Sequence, residues 1–295
     1  MEFIMVTQRI TNHNKFKHKV SETLLIPLVC KAEETQMPDP IIKDDIACYL
    51  LQRIDFDITK FKNKKASRTG TAIRAKYFDN EITEFITKNN TPLIITLGCG
   101  LDARYDRLPS LVKEKALFVY LDFNDVIELR KALIPERKNE KYLSGDMLSN
   151  DWIEEFKKIT IEKEYEYMFI LEGVIMYISE DKLKIFFNMI CHEFKSGTIL
   201  FDNLNTFLTS KSEKHDTVQH TDAKFIFGFD DDNTLEKWNN HLVYRKTKLF
   251  TDFKESRRMG LILSLLMKFI PKYKYASRML TYQIKHVVNE NNQTQ

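Results

Sequence analysis

The spacing of apolar and polar positions changes character near residue 90. Before that point apolar residues recur at helical intervals. Residues 21–55 read as helices interrupted by the turn "MPDP" at Met37–Pro40, and Ile73, Tyr77, Ile82, Phe85 and Ile86 mark a further helix over roughly residues 70–88. After it, short unbroken apolar runs alternate with amphipathic stretches. The runs at Leu93–Leu97, Leu117–Asp122, Tyr142–Gly145, Tyr167–Leu171 and Thr198–Asp202 read as strands. Between them "DVIELRKALI", "DWIEEFKKI" and a long segment opened by Ser179 as N-cap, with Glu180 and Asp181 in its first turn, read as helices. This alternation predicts an α/β fold: a mostly parallel sheet with helices on both faces. Ligands of such sheets lie beyond the carboxyl ends of the strands, so the residues after each strand carry the functional question.

The first of those ends is a glycine turn, "LIITLGCGLDARYDRL", Leu93 to Leu108. Gly98, Gly100 and Ala103 satisfy the dinucleotide fingerprint, with a ligand-free strand-to-helix turn as the alternative. Asp102 argues against a pyrophosphate, because it is expected to place a carboxylate in the first turn of the following helix. A nicotinamide-dependent oxidoreductase is thereby disfavoured, whereas a cationic or zwitterionic ligand would meet no repulsion. Asp122 ends the second strand, where an acid can accept both hydroxyls of a ribose; its alternative role is the N-cap of the helix near Asp125. Asp146 and Met147 follow the third strand. They suit an adenine amine and ring face, or are a loop acid beside a core methionine. Glu172 follows a wholly apolar fourth strand, a costly place for a charge unless a cationic ligand or a neighbouring Lys or Arg pairs it. Tyr177 lies near the same rim.

Composition narrows the classes. The chain has 295 residues, 43% hydrophobic and 29% charged, as expected of an ordinary globular protein. A net charge of +3 is too small to argue for nucleic acid or an anionic membrane as partner. Cys30, Cys48, Cys99 and Cys191 lack metal-ligand spacing, so neither a zinc site nor a disulfide framework is expected. The N-terminal residues lack a signal-peptide core, and the longest apolar block, Leu261–Ile270, is too short to span a bilayer; a cytoplasmic protein is expected. That block is expected to be a helix packed in the core, with a cover over an acceptor pocket as the alternative. Asn203–Phe225 is polar and irregular, long enough to suggest a lid. His192, His215, His220, His241 and His286 read as surface or packing residues.

Taken together, "LGCGLDARYDRL", "YLDFNDVIELR" and "LEGVIMY" resemble the leucine carboxyl methyltransferase family, S-adenosylmethionine (SAM)-dependent enzymes of Rossmann-like fold. The N-terminal block from Thr23 to Phe61 looks like the bacterial branch of tetracenomycin-type polyketide O-methyltransferases. The resemblance implies a seven-stranded sheet with one antiparallel strand, "LVYRKTKLF" and "TYQIKHVV" being its last two strands. It implies a helical cap over residues 1–90 that contributes to the cofactor site, a SAM-binding core over 91–290 with the lid insertion near 203–225, and a polar tail at 291–295.

It also implies roles. Lys31 and Arg74 match the family's basic residues for the SAM carboxylate, Gly98 and Gly100 the turn under the methionine part, and Asp122 the ribose acid. Asp146 and Met147 match the adenine pair, and Glu172 the acid after the fourth strand. SAM carries an anionic carboxylate, a cationic amine and a sulfonium, so a site of cations at one end and acids elsewhere suits it. On the acceptor side Tyr177 matches a tyrosine near the transferred methyl, and Arg107 could orient a carboxylate, with a structural pair to Asp102 or Asp106 as its alternative. The implied activity is methyl transfer to a small-molecule acid, for which no general base is needed. A SAM-binding protein without turnover is the non-enzymatic alternative.

Overall fold

The computed structural model describes residues 19–161 and 163–285. A 3-10 turn at Lys19–Leu24 leads into α1 (Leu25–Thr35), and α2 (Asp45–Leu51) follows the Met37–Pro40 turn. Asp44 caps α2, its carboxylate accepting from the Ala47 amide at 2.8 Å. The long α3 (Lys65–Lys88) then delivers the chain to β1 (Pro92–Leu97), followed by α4 (Arg104–Arg107) and α5 (Ser110–Lys113). Next come β2 (Leu117–Asp122), α6 (Asn124–Leu133), β3 (Glu140–Ser144) and α7 (Asp151–Thr160). β4 (Glu166–Leu171), α8 (Glu180–Glu193) and β5 (Ser196–Leu204) continue the alternation. The chain proceeds through α9 (Thr206–Thr209), α10 (Thr234–Trp238), β6 (Leu242–Leu249), α11 (Leu261–Phe269), α12 (Pro271–Lys274) and β7 (Ser277–Lys285).

The sheet has seven strands in the order β3-β2-β1-β4-β5-β7-β6. β1 to β5 pair in parallel, and β7 runs antiparallel to both β5 and β6. The expected single reversed strand is therefore β7. It is described to Lys285; His286, the polar tail and the N-terminal residues lie outside the described residues. Strand order reverses between β1 and β4, which opens a crevice at their carboxyl ends.

The period of two in β1 explains why both faces are covered. Leu93, Ile95 and Leu97 pack with Trp152, Phe156 and Phe186 on one side, while Ile94 packs with Phe78 and Ile82 of α3 on the other. A third apolar cluster joins α1 and α2 to Leu101 and Ala103 of the glycine turn and Val126 and Leu133 of α6. The cap thus sits directly on the turn.

Several expectations are corrected. Ser179 stands at the N-cap position of α8 but its hydroxyl makes no capping bond. Asp102 lies just before α4, whose N-cap is Ala103, rather than inside its first turn. The segment after Asn203 is built of turns: β5 runs to Leu204, Asn205 caps α9, and 3-10 turns form at Ser212–Lys214 and Val218–His220. Leu261–Phe269 is helical but is no core helix. Met267 is buried, whereas Leu261, Ile262 and Phe269 face outward.

Candidate active site

The glycine turn is held from three sides. The amides of Gly98 and Cys99 both donate to the Leu121 carbonyl, at 2.9 and 3.1 Å, tying the turn to β2. The Gly100 amide donates to Asp122 Oδ2 at 2.7 Å, and the Phe123 amide donates to Oδ1 at 2.8 Å. Arg130, reaching in from α6, donates to the carbonyls of Gly100 (3.2 Å) and Asp102 (2.8 Å). Its guanidinium lies over the rings of Tyr120 and Tyr142, which replaces water around a fully buried cation. Gly98 has φ of 69°, and a Cβ there would stand 2.8 Å from Val174 Cγ2, so the turn has room only for glycine.

Asp122 is therefore not a helix cap. Each carboxylate oxygen uses one lone pair on the backbone and keeps another for a ligand hydroxyl. Burial pushes this carboxyl up to about 6, against the lowering effect of the two amides.

Beyond the turn lies a lattice of charges. Lys31 Nζ meets Asp102 Oδ1 at 2.5 Å. Arg74 donates from Nη1 to Asp202 Oδ2 at 2.7 Å and from Nε to Glu172 Oε1 at 3.1 Å. Arg104 Nη2 donates to Glu172 Oε2 at 2.5 Å and lies 3.2 Å from Asp102. Arg107 binds Asp79 (2.7 Å), Asp44 (2.7 Å) and Asp102 (2.9 Å). Four cations thus share five carboxylates. An excess of acid repels phosphate and favours a ligand that brings positive charge.

The titration shifts follow from that arrangement. Burial raises Asp102 and Glu172, but the surrounding cations win and hold both below the usual carboxylate range. At Asp202 burial wins and the carboxyl moves up. Burial opposes the Arg74 charge, yet Asp202 and Glu172 hold it firmly protonated.

A cavity of about 780 Å³ adjoins the lattice, within the range of small-molecule sites. Lys31, Arg74, Gly98, Gly100, Asp122 and Glu172 all line it. So do Asp146, Met147 and Tyr177. Asp146 is exposed and accepts from the Leu148 amide at 2.9 Å; Met147 is buried beside it. Tyr177 packs on Phe225 with ring centroids 5.5 Å apart, and burial raises its phenol above the ordinary range.

Arg107 departs from the expectation that it faces an acceptor. It is almost wholly buried, commits its guanidinium to three carboxylates and does not line the cavity. The pair with Asp102 is present, while Asp106 binds Arg137 instead, at 2.7 Å. His215, read as a surface or packing residue, lines the cavity. Arg104, Arg130 and Asp202 were missed. Asp202 carried the same signal as Glu172, an acid directly after an apolar run; Arg104 and Arg130 look in sequence like any exposed helix arginine.

The residues present fit SAM. Gly98 leaves space where a side chain would stand, and the buried Thr96 hydroxyl in the cavity wall has no partner of its own. Lys31 and Arg74 would hold the carboxylate, Glu172 the ammonium, Asp122 the ribose, and Asp146 with Met147 the adenine. Among the described residues no cluster of His, Cys, Asp and Glu suits a metal, and no helix is long and apolar enough to cross a membrane.

Comparison with known proteins agrees. The leucine carboxyl methyltransferase family model matches residues 25–191. The tetracenomycin polyketide synthesis O-methyltransferase TcmP of Streptomyces glaucescens is 25% identical over 266 residues, covering 89% of this chain and 96% of TcmP. The SAM-dependent methyltransferase dpfgK of Gibberella zeae is 26% identical over 244 residues, covering 76% and 80% of the two chains. Among solved structures, a protein of Thermobifida fusca described as a candidate methyltransferase shares the fold with a TM-score of 0.55 at 12% identity, covering 88% of this chain and 95% of its own. The glycine turn, the strand-end acids and the family match converge: the chain belongs to the leucine carboxyl methyltransferase family and is a SAM-dependent O-methyltransferase of Rossmann-like fold.

Proposed function

We propose that the acceptor is the carboxylate of a largely apolar small molecule, of the polyketide type named for TcmP. The observation that carries this is the mixed lining of the cavity. Besides the lattice of acids and cations it includes Phe207, Phe225, Phe250 and Met267, together with Lys211 and Lys214. An apolar body with one anionic group matches that part of the lining. SAM supplies an electrophilic methyl group; the chain positions both partners and excludes water around them.

A carboxylate acceptor asks less of the site than a hydroxyl would. A carboxyl of pKa near ~4 is already ionised at neutral pH and needs no proton removed. Tyr177 holds its proton, so it can donate a hydrogen bond but does not remove a proton. Burial lowers the His215 pKa, against the effect of Asp216, so the ring is neutral. Its Nδ1 lies 3.4 Å from the Val218 amide, 3.2 Å from Thr217 Oγ1 and 3.6 Å from Asp216 Oδ1, which fixes the ring beside the cavity. His215 is accordingly assigned to the acceptor side of the site.

The test is transfer from methyl-labelled SAM to a panel of hydrophobic aromatic acids and their hydroxylated methyl esters. Label released by mild alkali marks an ester and a carboxylate acceptor. Alkali-stable label on the hydroxylated esters marks an ether and overturns the carboxylate reading. Saturable SAM binding without transfer across the panel would favour the non-catalytic alternative.

A further inference from the structure

We infer that α11 is a membrane-surface anchor that lays the mouth of the cavity against an anionic lipid bilayer. Leu261, Ile262, Leu265 and Phe269 expose 77%, 76%, 48% and 68% of their surfaces. A soluble protein rarely gathers four large apolar side chains on nine consecutive residues of one helix without a use for them. The other side of the same helix does have partners. Leu263 and Met267 line the cavity, and Met267 is buried in the core that backs the sheet.

The charges around the helix decide which partner fits. Lys254 and Arg257 precede it, Lys268 lies within it, and Lys272 and Lys274 follow. Glu255 is the sole acid between residues 254 and 274, and it pairs with Lys76 at 3.3 Å. Arg258 is drawn inward to Glu34. The apolar stripe is therefore bordered by cations at both ends. An apolar face with a cationic border is the pattern of helices that lie in the headgroup region, side chains in the acyl layer and ammonium groups on anionic lipid phosphates.

A second copy of the chain fits less well. Pairing α11 on itself would bring the two cationic borders together. The stripe is also small: nine residues span roughly 13 Å, whereas a stable interface needs about 800 Å² from each partner. A net charge of +3 over the whole chain conceals this local concentration of cations.

The anchor stands independently of the acceptor assignment. If that assignment holds, docking would let an apolar acid pass from the bilayer past Leu263 and Met267 without crossing water.

The experiment is flotation of the purified protein with vesicles of phosphatidylglycerol and phosphatidylcholine, and with phosphatidylcholine alone. Flotation with the anionic vesicles, falling at least tenfold in Ile262→Ser/Phe269→Ser and in Lys268→Glu/Lys272→Glu, is expected. High salt should weaken the wild type. None of the four residues lines the cavity, so SAM binding and the thermal midpoint serve as controls for folding. No flotation of folded, SAM-binding protein overturns the inference. So does a concentration-dependent dimer that the apolar double substitution dissolves while vesicle binding is absent.

Discussion

Arg74 and Asp202 join α3 to the end of β5 through a 2.7 Å contact, and the second oxygen of Asp202 accepts from the Gly173 amide at 2.6 Å. The same guanidinium reaches Glu172, so one side chain fastens the long helix to two adjacent strands. Removing it leaves the buried Asp202 without a cation, while Glu172 keeps only Arg104. Arg74→Ala should cost about 3–5 kcal/mol of stability, as expected when one partner of a buried pair is deleted. Arg74→Lys keeps the charge but not the fork, and should fold while binding SAM at least tenfold more weakly. Thermal melts and calorimetric titration separate the two outcomes; unchanged SAM affinity in Arg74→Lys would remove Arg74 from the cofactor site.

Gly98 and Val174 form a second testable pair. Gly98→Ala places an L residue at positive φ, a cost of about 1–2 kcal/mol, and drives its Cβ into Val174. Gly98→Ala/Val174→Ala should recover the part due to the clash and leave the backbone part. A double variant no better than the single one would show that conformation alone excludes side chains here.

The carboxyl of Asp122 sets a pH dependence. Because burial raises it to about 6, the free protein loses the ionised form as pH falls through that value. Ribose hydroxyls donate to the ionised form. SAM affinity should therefore be full above pH 6 and decline by up to about tenfold per unit below it. Calorimetry from pH 5 to 8 measures this. Asp122→Asn should bind weakly at every pH; a wild-type profile flat across the same range would contradict the assignment.

Arg107 serves as a structural cation, while His215 packs on Phe225 and lines the cavity. Arg107→Ala should lower the thermal midpoint strongly, since Asp44, Asp79 and Asp102 lose their shared cation. His215→Ala should raise the KM for the acceptor while leaving SAM affinity and the acidic side of the pH profile unchanged. Loss of rate with a shifted pH profile would instead make His215 a proton acceptor.

The strands were legible because a buried parallel strand is a continuous apolar run, and topology then gathers their ends. Asp122, Glu172, Asp146 and Met147 stand out by their positions after the strands, and all four line the cavity. The charge partners do not. A fork on α4 or α6 has the same sequence appearance whether it meets water, acids or backbone carbonyls, so the partners of Arg104 and Arg130 needed coordinates. Leu261–Ile270 failed for a related reason: apolar content shows that a face is hydrophobic, not what covers it.

The way the glycine turn is held has a consequence for recognition. Leu121, Asp122 and Arg130 satisfy its amides and carbonyls from within the protein, before any ligand arrives. The ordering entropy of that loop is lost during folding rather than at encounter. A ligand reaching the turn would meet a finished surface, and the free energy of its contacts would go into affinity instead of into shaping the chain.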